Sequence, residues 1–260
     1  MSDLTQGARA EGALLVNVAA RLPLTEAEGP GRRYALWVQG CPLRCPGCCN
    51  PHMLEFKEVE LASVDSLAAE ICAAEGIEGL TLIGGEPFAQ AEALAPLAER
   101  VRAAGLSVLI FTGHTYERLV SGRDPHHARL LAATDLLVDG PFVERQLDLG
   151  RRWIGSANQR VRFLSERYAH LRDAPSGWEE SPNTIELRLR DGELTINGFP
   201  HASITALLTS LSGVSGVSGV SAASVTPASS PASSPASSPA SSHPSPISSH
   251  TPPQRGGSAQ

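Results

Sequence analysis

The sequence predicts an α/β fold: a partial, open β/α barrel with a C-terminal β-hairpin and a disordered tail. Three observations lead there. Short apolar runs alternate with helical patterns up to about residue 200. Asp191-Gly192 then separates two strand-like segments. From about residue 203 the composition changes to Ser, Pro, Ala and Gly with almost no charge.

The strand candidates are Tyr34–Gln39, Leu80–Ile83, Leu106–Phe111, Leu136–Val138 and Arg160–Phe163. Each is short, apolar or β-branched, and bounded by Gly, Pro or Asp. The helix candidates lie between them. Val64–Glu75 sets Leu67, Ile71 and Cys72 along one face, with Ser63 placed to cap its start. Gln90–Ala104 stops at Gly105, and Pro96 inside it predicts a late start or a kink. His126–Ala133 is a shorter helix candidate. Strands alternating with helices imply parallel pairing through helical crossovers. The units are too few for a closed eight-stranded barrel, and a doubly wound sheet is the alternative. In either case a site belongs at the C-terminal ends of the strands. Thr184–Arg190 and Glu193–Asn197 flank the two-residue turn of a hairpin.

Residues 1–202 therefore read as one core domain and 203–260 as a low-complexity tail. In the tail Gly213-Val214-Ser215 and Pro227-Ala228-Ser229-Ser230 repeat with periods too short for a solenoid unit. Such a composition buries too little apolar surface to offset the entropy of ordering it.

The 260 residues are 42% apolar, enough for a sizeable core, and carry a formal net charge of −6. No clustered basic surface is legible, so nucleic acid is not an expected partner. The pairs Arg32-Arg33 and Arg151-Arg152 read as solvated charge, with a local carboxylate contact as the alternative. No stretch approaches the roughly 18 consecutive apolar residues of a membrane span, and Met1–Ala10 lacks the apolar centre of a signal peptide. A cytoplasmic location is expected. Thiols stay reduced there, so clustered cysteines point to metal or chemistry rather than disulfides.

Four of the five cysteines fall in one loop, Gly40-Cys41-Pro42-Leu43-Arg44-Cys45-Pro46-Gly47-Cys48-Cys49, directly after the first strand candidate. Cys41, Cys45 and Cys48 follow a C-x3-C-x2-C spacing. Thiolates suit soft metals and iron–sulfur clusters. Four would complete a cubane, whereas three leave one iron open to an outside ligand. A structural zinc site recruiting Cys49, His52 or a distant residue competes. No second C-x2-C or His pair appears downstream to supply the usual zinc knuckle. Cys49 reads as a packed or pocket-lining thiol, because adjacent residues in a tight loop rarely face one small centre. Cys72 reads as core.

The cysteine spacing matches the signature of the radical S-adenosylmethionine (SAM) superfamily. The wider string Trp37-Val38-Gln39-Gly40-Cys41-Pro42-Leu43-Arg44-Cys45-Pro46-Gly47-Cys48 resembles the activating proteins of anaerobic ribonucleotide reductases, in the glycyl-radical-enzyme activase group. Gly84-Gly85-Glu86-Pro87, at the end of a strand candidate, resembles that family's SAM-binding element. Glycines there let a backbone approach a ligand, and Glu86 offers a carboxylate to an ammonium. Thr112 in Phe111–Thr115, Asp139 in Val138–Phe142, and Asn158 and Gln159 in Gly155–Arg160 sit in stretches that resemble further pocket elements. The resemblance covers about residues 14–200. It departs at Cys49, where an aromatic residue is usual, and at His114, where Tyr is common.

The resemblance implies a partial barrel of the radical SAM type. It implies a [4Fe–4S] cluster on Cys41, Cys45 and Cys48, whose open iron is chelated by SAM. Reductive cleavage of SAM would yield a 5′-deoxyadenosyl radical. No side-chain acid or base is assigned, since the cofactors carry the chemistry. The implied partners are a glycyl-radical enzyme, with an anaerobic ribonucleotide reductase as candidate, and a flavodoxin- or ferredoxin-type electron donor. Action on another peptide or a small molecule, and a non-enzymatic metal module, are the alternatives.

Overall fold

The computed structural model describes residues 13–148, 150–174, 177–178, 184–190, 193–198 and 220–222. Seven strands form one sheet: β1 (Leu15–Thr25), β2 (Arg33–Val38), β3 (Glu60–Ser63), β4 (Gly79–Gly84), β5 (Ser107–Thr112), β6 (Leu136–Asp139) and β7 (Arg160–Phe163). Their spatial order is β3-β1-β2-β4-β5-β6-β7. β2, β4, β5 and β6 run parallel to one another. The sheet is open, with β3 and β7 at its edges.

The order of the parallel strands follows the chain without reversal. Right-handed crossovers then place successive helices on the same face. A doubly wound sheet needs a reversal and helices on both faces, so that alternative does not hold. The helices are α1 (Val64–Ala73), α2 (Ala91–Ala103), α3 (Tyr116–Ser121) and α4 (Pro125–Ala132), followed by a single turn, α5 (Ala169–Arg172). Tyr34, Leu36, Val38, Leu80, Leu82, Val108 and Ile110 point to one side of the sheet. There they join Leu67, Ile71, Leu94, Leu97, Val101 and Leu130 from the helices in one core. Each such Leu or Ile contributes about 1.5–3 kcal/mol by leaving water. The alternate residues of the strands face the other way, in two smaller clusters around Leu109 and Trp37.

The helix starts follow the cap chemistry. Ser63 Oγ accepts from the Ser66 N–H at 3.0 Å, Thr115 caps α3, and Asp124 caps α4. α2 begins at Ala91, after a 3₁₀ turn over Pro87–Gln90, and passes through Pro96.

Several expectations are corrected. β7 is antiparallel to β6, and among the described residues between them no α-helix is present to make a parallel crossover. β1 and β3 extend the sheet in antiparallel pairing; the sequence pattern signals neither strand, nor α3. Cys72 is exposed, one residue past the buried stripe Val64, Leu67, Ala68 and Ile71. Arg33 is not solvated; it is fully buried. Its Nε donates to Thr81 Oγ1 at 2.6 Å, Nη1 to Ser107 Oγ and the Tyr168 hydroxyl at 3.0 Å, and Nη2 to the Leu80 carbonyl at 2.6 Å. Arg151 takes the carboxylate contact, reaching Asp148 at 2.6 Å.

The hairpin forms as expected from β8 (Glu186–Arg190) and β9 (Glu193–Asn197). Its turn, Asp191-Gly192, lies outside the described residues. Three residues of the segment read as tail, β10 (Val220–Ala222), pair in parallel with β9. The rest of that segment, and the boundary at 202/203, lie outside the described residues. Among the described residues no helix is long and apolar enough to cross a membrane.

Candidate functional site

The cysteine loop leaves the C-terminal end of β2. Its entry is fixed from both sides. The Gly40 N–H donates to the Met53 carbonyl at 2.9 Å and the Cys41 N–H to that of Leu54 at 3.2 Å. Gln39 Nε2 donates to the Glu55 carbonyl at 2.7 Å, and Gln90 Nε2 to that of Gln39 at 2.9 Å. Asn17, Gln39 and Gln90 thus tie β1, β2 and the start of α2 together beneath the loop. Arg44, the last residue of the three-residue spacer, is left-handed with φ +48°. That conformation costs an ordinary residue about 1–2 kcal/mol. The Leu43 and Arg44 N–H groups face the Cys41 sulfur.

The other two thiols are also met by main-chain donors. The Phe142 N–H, from the loop after β6, faces Cys45, and the Asn50 N–H faces Cys48. Burial raises the Cys41 and Cys45 thiols above their ordinary pKa, against the pull of these donors. Cys48 moves the other way, to about 6, chiefly because the Cys49 thiol hydrogen-bonds to it. Cys49 is correspondingly raised well above the usual thiol range. Its thiol is directed at Cys48, a contact that the sequence spacing does not reveal.

These three sulfurs fit an iron–sulfur cluster. N–H donors stabilise thiolates, and hydrogen bonds to the sulfurs help to set cluster potential. Among the described residues no three His, Cys, Asp or Glu side chains gather tightly enough for a single metal ion. A cubane does not ask for that, because each thiolate binds a different iron. His52 is exposed in the short turn Pro51–Met53.

Gly84 and Gly85 close the site from β4, and what they approach is the cysteine loop itself. The Gly85 N–H donates to the Val38 carbonyl at 2.7 Å and the Glu86 N–H to that of Gly40 at 2.9 Å. Gly84 has φ +108°, and a Cβ on Gly85 would overlap the Gly40 carbonyl. The two glycines therefore permit contact between the ends of β2 and β4, with or without a ligand. Pro87 opens the buried turn that follows.

Glu86 is 1% exposed. Its Oε1 accepts from the Phe88 N–H at 2.9 Å and Thr112 Oγ1 at 2.8 Å, and its Oε2 from the Gly113 N–H at 2.9 Å. Three of the roughly four acceptor positions of a carboxylate are thus taken. Burial nevertheless raises its pKa to about 7. Thr112 and Glu86 are brought together across the ends of β4 and β5. Asp139 plays a similar part at the end of β6, accepting from the Tyr116 N–H at 2.8 Å and Arg162 Nε at 2.9 Å. Asn158 Nδ2 donates to the Pro141 carbonyl at 2.8 Å, and Gln159 Nε2 to that of Gly140 at 3.1 Å. These two pin the Gly155–Arg160 loop onto the segment that presents Phe142 to Cys45. Glu86, Thr112 and Asp139 therefore occupy the C-terminal ends of adjacent strands, and Asn158 and Gln159 the loop before β7. Glu86 bonds to Thr112, whereas the others bond to Tyr116, Arg162 and the Gly140 and Pro141 carbonyls.

Comparison with known proteins agrees with this arrangement. Residues 27–162 match the family described as a 4Fe-4S single cluster domain. An anaerobic ribonucleoside-triphosphate reductase-activating protein of Vibrio cholerae is 34% identical over 149 residues, which are 53% of this chain and 91% of that protein. The protein of the same name from Haemophilus influenzae is 31% identical, over 55% of this chain and 96% of the relative. That of Enterobacteria phage T4 is 30% identical, over 54% and 88%. The chain therefore belongs to the 4Fe-4S single cluster domain family, among the anaerobic ribonucleoside-triphosphate reductase-activating proteins, the radical SAM activase group that its cysteine loop resembles.

Proposed function

We propose that this protein is a radical SAM activase that installs a glycyl radical on an anaerobic ribonucleotide reductase. The observation that carries the proposal is the loop of Cys41, Cys45 and Cys48, each sulfur faced by main-chain N–H groups, at the C-terminal edge of a parallel sheet. On this proposal the open sheet is a partial β/α barrel of the radical SAM type. When bound, the [4Fe–4S] cluster and SAM supply one-electron cleavage of the sulfonium to give a 5′-deoxyadenosyl radical.

The chain's own residues hold and orient. Cys41, Cys45 and Cys48 would bind the cluster as thiolates. Gly84 and Gly85 keep the β4 end against the loop, and Glu86 and Pro87 shape the turn where the SAM amine would sit. The fourth acceptor position of Glu86 suits an ammonium, which would favour its ionised form. Thr112, Asp139, Asn158 and Gln159 fix the neighbouring strand ends, so the pocket wall is pre-organised rather than assembled on binding. The electron would come from a flavodoxin- or ferredoxin-type donor.

Anaerobic reconstitution with iron and sulfide tests the proposal. The full chain should take up a [4Fe–4S] cluster, cleave SAM under reduction, and give a glycyl radical signal by electron paramagnetic resonance when mixed with the reductase. Cys41→Ala, Cys45→Ala and Cys48→Ala should each abolish cleavage. A chain that binds iron but forms no glycyl radical on the reductase would overturn the assignment of partner. A chain that binds no iron would overturn the whole proposal.

A further inference from the structure

A cavity of about 180 Å³ lies at the opposite end of the sheet from the cysteine loop. It opens where β2, β4 and β5 begin. Glu78, Arg152, Trp153, Tyr168, His170 and Trp178 are among its lining residues. None of them belongs to the pocket elements described above.

Three features of this cavity point to a ligand. First, it offers a flat aromatic wall. Trp153 and Trp178 stack with ring centroids 5.6 Å apart and planes 5° from parallel. Second, the Arg152 guanidinium lies 4.8 Å from the centre of the Trp153 ring. Its Nε is buried and has no hydrogen-bond acceptor among the described residues, while Nη2 reaches Thr184 Oγ1 at only 3.4 Å. A cation on an aromatic face beside a cavity is placed to receive an anion. Third, Trp153 is left-handed with φ +62°. A bulky residue rarely adopts that conformation, and such outliers cluster at ligand sites. The Tyr168 hydroxyl is already engaged by Arg33 and Ser107, so this residue contributes its ring.

We infer that this cavity is a second ligand site, which takes a purine nucleoside monophosphate. The base would extend the indole stack, with its amino edge toward the Glu78 carboxylate and its phosphate on Arg152. Aromatic stacking tolerates any base face. Glu78 in the lining and Glu26 beside Arg152 oppose the single lining guanidinium, so the ligand with the least phosphate charge, a monophosphate, is favoured.

Calorimetric titration of the anaerobically purified full chain with GMP and with AMP tests this, run with and without saturating S-adenosylhomocysteine. At least one of the two should bind saturably, unaffected by S-adenosylhomocysteine, which is expected at the cysteine end. Trp178→Ala should weaken that binding about tenfold by loss of stacking. Arg152→Gln should also weaken it about tenfold by loss of a charged donor. Circular dichroism identifies a variant that fails to fold, and the other variant then decides. Absence of saturable binding by both nucleotides, displacement by S-adenosylhomocysteine, or unchanged affinity in a folded variant would overturn the inference.

Discussion

At the N-terminal ends of β2, β4 and β5, a buried guanidinium, Arg33, is met by oxygen acceptors from Thr81, Leu80, Ser107 and Tyr168. At the C-terminal ends of the same sheet, three thiols are met by N–H donors from Leu43, Arg44, Phe142 and Asn50. Both ends surround a difficult group with complementary dipoles. They differ in what the dipoles come from. The Arg33 network draws on three carbonyls, of Pro30, Leu80 and Ser107, and three hydroxyls within a packed core, so it is a device for stability. The cysteine donors are backbone groups of loops, and these fix the sulfurs without filling the space around them. Substitutions at the first end should therefore act on folding and those at the second on metal uptake.

Arg33→Met tests the first half. It leaves the Thr81 and Ser107 hydroxyls and the Leu80 carbonyl without their shared donor. The two hydroxyls keep their own bonds to the Glu28 and Glu78 carbonyls, but each lost hydrogen bond to a charged donor is worth about 1.5–3 kcal/mol. The urea midpoint should therefore fall by an amount equivalent to at least about 3 kcal/mol. Any folded fraction should still bind iron. A loss of iron with an unchanged midpoint would break the comparison.

Glu28→Gln sharpens it through pH. Glu28 is buried, and its Oε1 accepts from the Gly198 N–H at 3.2 Å. Burial, with Glu186 adding repulsion, raises its pKa from 4.5 to about 7. Below about pH 4.5 the folded and unfolded chains are both protonated at this site. As the pH rises toward 7 the unfolded chain releases its proton first, so the folded state is progressively disfavoured. Above 7 the penalty is complete and reaches up to about 3 kcal/mol, since a tenfold change in proton affinity is worth about 1.36 kcal/mol. The variant keeps an acceptor for Gly198 and removes the titration. Its stability, compared with that of the parent chain at pH 5 and pH 8, should fall less over that range. An unchanged difference would mean that Glu28 does not titrate in this window.

The parallel strands are legible in the sequence because strands buried on both faces read as continuous apolar runs. β1 is not, since Arg21 and Pro23 interrupt its pattern and its pairing with β2 shifts register twice. α3 is too short to show a period, although Thr115 carries a cap signal. The thiols are legible from spacing alone. Their donors are not, because the Phe142 N–H comes from a loop distant in sequence, and no periodicity encodes a main-chain contact. Arg33 misleads for a related reason: an arginine paired with Arg32 after a Gly-Pro-Gly turn segment resembles surface charge until tertiary contacts supply neutral acceptors.

Gly85→Ala probes the junction between the ends of β2 and β4. The added Cβ would overlap the Gly40 carbonyl, a backbone atom that can move only with the cysteine loop. Forcing extra volume into such a contact costs about 1–3 kcal/mol. Here the midpoint and the iron content should both fall, because the same displacement weakens packing and shifts Cys41. A variant that loses stability but keeps full iron would show that the loop adjusts independently of β4.

Cys49→Ala should have the smallest effect and is the most discriminating. The side chain is half-buried, and loss of one thiol's packing changes stability by about 1 kcal/mol at most. Iron content should remain that of the parent chain, whereas Cys48→Ala, one residue earlier, should lose it. What should change is the midpoint potential. The Cys49 thiol hydrogen-bonds to Cys48, and a donor to a cluster sulfur favours the reduced state. Removing a hydrogen bond of about 0.5–1 kcal/mol should lower the potential by about 20–40 mV for a one-electron couple. Redox titration followed by electron paramagnetic resonance reads this directly. Loss of iron in Cys49→Ala would instead make Cys49 a ligand, and no thiol of this loop could then be called a neighbour rather than part of the cluster site.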